Sequence, residues 1–198
     1  MQATTILNII LVIISLDYLF NLVSGLLNYN SFDNSIPKTL EGIYDEKQYI
    51  NSQKYNKSNF RFGLLTSTIN FFVLFCVFKF GLLGVLDSLL RNYSPENEIS
   101  LSLLFFGSIF FINDIISIPF QLYKIFVIEE KFGFNKMNLK MFIIDKLKSY
   151  ILILILGGVL LFTLLILIML YPSNFWIYFW IVISLFTVFI NMFYTSLI

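Results

Sequence analysis

The sequence predicts an all-α, polytopic membrane helix bundle with about five transmembrane helices and two helical cytoplasmic connections. Three observations predict it. The 198 residues are 58% hydrophobic and only 13% charged, against roughly 45–50% and about 25% in soluble domains. The apolar residues gather in five stretches near the roughly 20 residues that a spanning helix needs. Lys and Arg gather in two of the connections between those stretches. This composition excludes an ordinary soluble globular protein, a disordered chain and a nucleic-acid binder. The net charge of +1 offers no global electrostatic partner signal.

The five stretches are taken in order. The first is Ile6 to Leu27, interrupted by Asp17. Its start carries no Lys or Arg and no small-x-small cleavage site follows, so it reads as a retained span rather than a secretion signal. The second is Leu64 to Leu86, with Lys79 inside; the bland reading of Lys79 is snorkelling to the interface. The third is Ile99 to Phe126, holding Asn113, Asp114 and Pro119, and Pro119 is expected to kink it. The fourth is Ser149 to Tyr171, where Gly157-Gly158 would let another helix approach closely. The fifth is Phe175 to Ile198. The last two carry no charge and are joined by Pro172-Ser173-Asn174, the signature of a tight helical hairpin. Backbone groups in lipid must pair within their own segment, so each run reads as a helix.

Orientation follows from the basic residues. Connection 28–63 holds Lys38, Lys47, Lys54, Lys57 and Arg61, and connection 124–148 holds Lys124, Lys131, Lys136, Lys140, Lys146 and Lys148. With five spans these lie on one side, together with the C-terminus. The positive-inside rule makes that side cytoplasmic and places the N-terminus outside.

Both connections carry structure of their own. Pro37 opens one short helical segment. Asp45 and Gln48 have capping-box spacing and start another, which would carry Tyr49, Ser52, Gln53 and Asn56 toward the second span. In the other connection, Glu129-Glu130-Lys131 precede Phe132-Gly133-Phe134-Asn135. Either the charges are a solvated cluster, or Gly133 supplies a positive φ and the run is a defined loop. Asn138 then caps an interfacial amphipathic helix with Leu139, Phe142, Ile143 and Leu147 as its apolar stripe.

Some chemistry is excluded outright. There is no histidine, so no imidazole base and no histidine zinc ligand. A single cysteine, Cys76, permits no internal disulfide or cysteine metal cluster and reads as a small hydrophobe. Asp17 and Asp114, with Asn113 beside the latter, are the intramembrane polar residues, and such carboxylates face a bundle interior or water. An acid pair for intramembrane proteolysis lacks the Gly-x-Gly-Asp surroundings it would need. Chamber lining or interhelical pairing is the preferred reading. No catalytic or metal-binding residue is assigned.

The two connections resemble those of the CAAX prenyl protease 1 family, integral-membrane zinc metalloproteases. The first carries Ile36-Pro37-Lys38-Thr39-Leu40, Ile43-Tyr44-Asp45, Tyr49, Ser52-Gln53, Tyr55 and Lys57-Ser58-Asn59-Phe60-Arg61-Phe62-Gly63. Asn51 departs from the Lys expected before the Ser-Gln pair. The second carries Pro119-Phe120, Tyr123, Phe126-Val127-Ile128-Glu129-Glu130-Lys131-Phe132-Gly133-Phe134-Asn135-Lys136, Phe142, Asp145 and Lys148. The similarity runs from about Asp17 to Ile198. It implies a single N-terminal membrane domain, residues 1–198, walling an intramembrane chamber for proteolysis of membrane or prenylated CAAX substrates. The family's HExxH zinc helix is absent from these residues. The resemblance therefore implies zinc only for a complete family member, and this chain by itself is expected to be inactive. Its implied partners are the lipid bilayer and a downstream or separate metalloprotease domain. The family-motif candidates are Lys57, Ser58, Asn59 and Phe60 in one connection and Glu129, Glu130, Lys131, Gly133, Phe134 and Asn135 in the other. The alternatives are a stand-alone membrane scaffold or regulatory protein and a small transporter subunit using Asp17 and Asp114.

Overall fold

The computed structural model describes residues 2–30, 45–93 and 97–197. Ile36 to Leu40, Ile43 and Tyr44, including the short helix expected at Pro37, lie outside the described residues. Among the described residues seven α-helices run in order: α1 (Ala3–Asn30), α2 (Glu46–Lys79), α3 (Leu82–Arg91), α4 (Glu98–Tyr123), α5 (Leu139–Leu152), α6 (Gly158–Leu170) and α7 (Phe175–Leu197). A π-helical segment, Lys124–Glu129, continues α4, and another, Ile153–Gly157, joins α5 to α6. Among the described residues, five helices are long and apolar enough to cross a membrane: Ala3–Tyr29, Glu46–Lys79, Glu98–Glu129, Leu139–Leu170 and Phe175–Met192.

The helix ends differ from the hydropathy boundaries because capping decides them. Asp45 is the N-cap of α2, its Oδ1 accepting from the Lys47 and Gln48 amides at 2.7 and 3.2 Å. The expected connecting helix therefore runs unbroken into the second span. That span stops at Lys79, short of Leu86, because Gly81 takes a left-handed φ of 62° that only glycine adopts freely. Lys79, the last residue of α2, is exposed. Asn97 caps α4 through the Ile99 and Ser100 amides at 3.0 and 3.1 Å.

Asn138 caps α5 by accepting from the Met141 amide at 2.9 Å. The expected interfacial helix is not a separate element, since it runs through the π-helical segment into the fourth span. Of its apolar stripe only Phe142 is buried, while Leu139, Ile143 and Leu147 stay exposed. Pro119 sits inside α4 and removes the amide that would bond to Ile115, and the π-helical turns follow one turn later. No close approach at Gly157-Gly158 is seen among the described residues. A Cβ on Gly158 would meet nothing within 4 Å, and one on Gly157 only Ile153 of its own helix at 3.7 Å. These glycines mark the end of the π-helical segment instead.

The chain divides into two compact units, Met1–Leu89 with Phe111–Lys136, and Leu90–Phe110 with Met137–Ile198. In the second, Tyr171, Pro172, Ser173 and Asn174 form the expected tight turn, with the Asn174 amide on the Tyr171 carbonyl at 3.0 Å. The Tyr171 and Tyr178 rings meet across it at 4.9 Å. Phe110 and Tyr150 meet edge to face at 6.5 Å, and Arg91 pairs with Glu98 at 3.4 Å on the surface.

The first unit is organised by the antiparallel seam of α1 and α2. Tyr18 stacks on Phe71 at 4.4 Å, and its hydroxyl shares a 2.8 Å hydrogen bond with Thr68. Tyr29 stacks on Phe60 at 5.1 Å. Tyr18 and Tyr29 stand as far apart along α1 as Phe60 and Phe71 along α2, so the two contacts hold one register. Between them Gly25 makes room for Phe60, since a Cβ there would lie 2.9 Å from the ring. Lipid offers no hydrophobic drive between helices, so small residues, close packing and interhelical hydrogen bonds carry such a seam.

Gly25→Leu is accordingly expected to displace Phe60 and to destabilise the chain by about 1–3 kcal/mol. Tyr18→Phe, which keeps the ring and loses only the hydroxyl, should cost about 0.6 kcal/mol. Thermal unfolding in detergent checks the order, and a Gly25→Leu chain as stable as the parent would contradict the seam.

Candidate functional site

Within the first unit, Tyr55 and Phe62 of the first motif on α2 meet Tyr123, Phe132 and Phe134 of the second. Lys124–Glu129 leads into a helix end whose geometry explains the odd run of residues after it. The Gly133 amide bonds to the Glu130 carbonyl at 3.1 Å and the Phe134 amide to the Glu129 carbonyl at 2.9 Å. With Gly133 at φ 76° this is a Schellman cap, which satisfies carbonyls that a helix end leaves unpaired. Asn135 donates from Nδ2 to Glu130 Oε2 at 2.8 Å and ties the chain back on itself. The run is a defined loop, not a loose charge cluster.

Aromatic contacts fasten this loop to α2. Tyr55 meets the edges of Phe132 at 5.4 Å and Phe134 at 4.7 Å. Two turns further along α2, Phe62 stacks on Tyr123 at 5.2 Å. Ile128, on the π-helical segment, is 4% exposed. Between α2 and this arm lies a cleft of about 840 Å³. Its floor is Leu65, Pro119 and Phe120, its middle Phe62 and Tyr123, and its rim Lys54, Lys57, Arg61 and Lys131.

The family-motif candidates fall into three groups. Lys57, Ser58 and Lys131 come together at the cleft. Glu129, Glu130, Gly133, Phe134 and Asn135 build the cap beside it. Phe60 faces the other way, into the α1 seam, where it also borders a smaller cavity of about 150 Å³ with Tyr18, Gly63 and Ser67. Asn59 is on the same turn, and its Oδ1 is buried with no hydrogen-bond partner among the described residues. The intramembrane residues lie elsewhere: Asp17 and Asn113 are exposed on α1 and α4, and Asp114 is half-buried.

Lys54, Tyr55, Phe62 and Tyr123 also belong to this site. For Lys54 the sequence signal is spacing, because Lys54, Lys57, Arg61 and Leu65 recur every three to four residues and so share one helix face. Arg61 is oriented by Tyr29, whose hydroxyl accepts from Nε and Nη2 at 3.0 and 2.8 Å. Cys76 is half-buried, with a free thiol, in the apolar part of α2.

Over residues 26–198 the chain matches the family described as CAAX prenyl protease N-terminal, five membrane helices. The chain belongs to that family. It is a multi-pass membrane protein, and its five candidate spans agree with the family's five membrane helices. A CAAX prenyl protease 1 homolog of Arabidopsis thaliana is 33% identical over 131 residues, 62% of this chain and 30% of that protein. A probable CAAX prenyl protease 1 of Schizosaccharomyces pombe is 34% identical over 136 residues, 63% of this chain and 28% of that protein. The crystal structure of S. mikatae Ste24p superposes with a TM-score of 0.86 at 25% identity, covering 96% of this chain and 47% of that one. The match thus spans about a third of these curated relatives and about half of the Ste24p chain.

Gly133→Ala is expected to destabilise the chain by about 1–2 kcal/mol, the cost of a side chain in the left-handed region. Glu130→Ala removes the acceptor of the Asn135 amide and should lower the thermal midpoint less. Parallel melts in detergent check the ranking, and an unchanged midpoint for Gly133→Ala would remove the cap from the account.

Proposed function

We propose that this chain is the membrane-embedded N-terminal domain of a CAAX prenyl protease 1-like zinc metalloendopeptidase. Its helices wall the chamber in which membrane or prenylated CAAX substrates are cut. The observation that carries this reading is the superposition of 96% of the chain on 47% of Ste24p. The capped loop at Glu129–Asn135 and the Tyr55 contacts give it a mechanical role, a rigid brace at one end of α2 for an adjoining protease domain. The basic connections face the cytoplasm, with the N-terminus outside.

The residues present do not fit the zinc centre that this family implies. The sequence has no histidine, and the described residues hold no group of three or more acidic, cysteine or histidine side chains. An HExxH helix must therefore come from outside residues 1–198, and no hydrolytic step is assigned to these side chains. The second reading is a stand-alone scaffold or regulatory protein built from this domain.

The test is a chimera in which residues 1–198 replace the matched half of Ste24p. Cleavage of a farnesylated CAAX peptide is expected from the chimera, and none from the 198-residue chain alone. A well-inserted chimera without activity would favour the scaffold. Zinc analysis of the purified chain is expected to find no stoichiometric metal, and tightly held zinc would overturn the division of labour.

A further inference from the structure

The cleft beside α2 has the layout of an amphiphile. Lys54, Lys57 and Arg61 climb one face of α2 over about 10 Å at the helical rise, and Lys131 faces them from the arm after α4. Below them the lining turns aromatic at Phe62 and Tyr123 and then apolar at Leu65 and Phe120. Along α2 the cationic residues lie toward the N-terminus, and the apolar ones lie toward the long apolar run that ends at Lys79. No carboxylate is among the described residues lining the cleft. Glu130, next to Lys131 in sequence, is engaged by Asn135 instead. Arg61 is held by a neutral partner, the Tyr29 hydroxyl, which fixes the guanidinium without matching its charge.

The geometry points to a binding site for one anionic phospholipid, its phosphate among Lys54, Lys57, Arg61 and Lys131 and an acyl chain along Phe62, Leu65 and Phe120. Two features favour a phosphate over a single carboxylate. Lys54, Arg61 and Lys131 alone bring more positive charge to the rim than one carboxylate would balance. Basic pockets between transmembrane helices are where anionic headgroups are held. The volume of about 840 Å³ lies within the range of small-ligand sites, roughly 300–1,000 Å³. Ordinary snorkelling explains lysines that spread outward from a helix end. It does not explain a cationic ladder facing a fourth cation across a lined cleft.

The test uses the full 198-residue chain in phosphatidylcholine vesicles, with and without phosphatidic acid carrying a photoreactive acyl chain. Crosslinks are expected within residues 54–65 and 119–132, at a level that excess phosphatidic acid removes and excess phosphatidylcholine does not. Lys54→Gln/Lys57→Gln/Lys131→Gln should cut labelling about fivefold per lysine removed, and the corresponding three Arg substitutions should keep it. Lys136→Gln/Lys140→Gln/Lys148→Gln, an equal charge change outside the cleft, should leave labelling near the parent level.

Equal loss in both Gln triples would reduce the effect to general surface charge and overturn the site. Crosslinks spread evenly over the helices would do the same. Displacement by glycerol phosphate at the concentration where phosphatidic acid acts would assign the rim to a soluble phosphate and overturn the lipid. Stronger displacement by a farnesylated peptide carboxylate would assign the cleft to that class instead. The crosslink map on the parent chain decides the matter even where a Gln triple fails to fold.

Discussion

The structure depends on one constraint, that a backbone amide or carbonyl in hydrocarbon must find its partner within its own segment. It sets the length of the five candidate spans, and it also locates the chemistry. Inside a span the helix satisfies itself and the side chains are free to be almost uniformly apolar. Where a helix stops or loosens, backbone groups lose their partners and particular residues must meet them. Asp45, Asn97 and Asn138 do so at helix starts. Gly133 does so at a helix end through a positive φ, and Gly81 turns the chain by the same means. The motif Glu129 to Asn135 is thus a helix terminus first and a family signature second.

Packing energetics follow from the same solvent. Only Leu11, Leu101, Ile128 and Phe142 are buried among the described residues. A soluble chain with so small a core would not fold, but the apolar surface here has lipid against it. What remains to specify helix register is a short set of directional contacts. On α1 and α2 these are two ring stacks, a tyrosine–threonine hydrogen bond and a glycine that admits a ring. On α2 and the arm after α4 they are Tyr55 with Phe132 and Phe134, and Phe62 with Tyr123. α2 is the shared member of both sets, presenting Phe60 to α1 and Tyr55 and Phe62 to the arm.

Much of the fold was legible because hydropathy reads lipid exposure directly. The five stretches, the hairpin at Pro172-Ser173-Asn174 and the caps at Asp45 and Asn138 all rest on local signals. Boundaries were less legible. Hydropathy carries the second stretch to Leu86, while the φ of 62° at Gly81 breaks the helix. Lysines interrupt the apolar run after Asn138, yet backbone hydrogen bonds continue through them. Gly157-Gly158 suggested a close approach by composition, but a glycine cannot say whether a neighbour is there.

The sequence by itself determined the solvent, the five-span plan and the family, since each is written in composition or in contiguous motif residues. It also determined that no histidine-ligated metal is held by residues 1–198. Tertiary structure alone decided which motif residues act together. Lys57 and Lys131 lie far apart along the chain and share one cleft, while Phe60, one residue before Arg61, packs against α1. The reason is geometric. A helix turns about 100° per residue, so adjacent residues of one motif serve different neighbours, and only the placement of α1 and the arm after α4 says which.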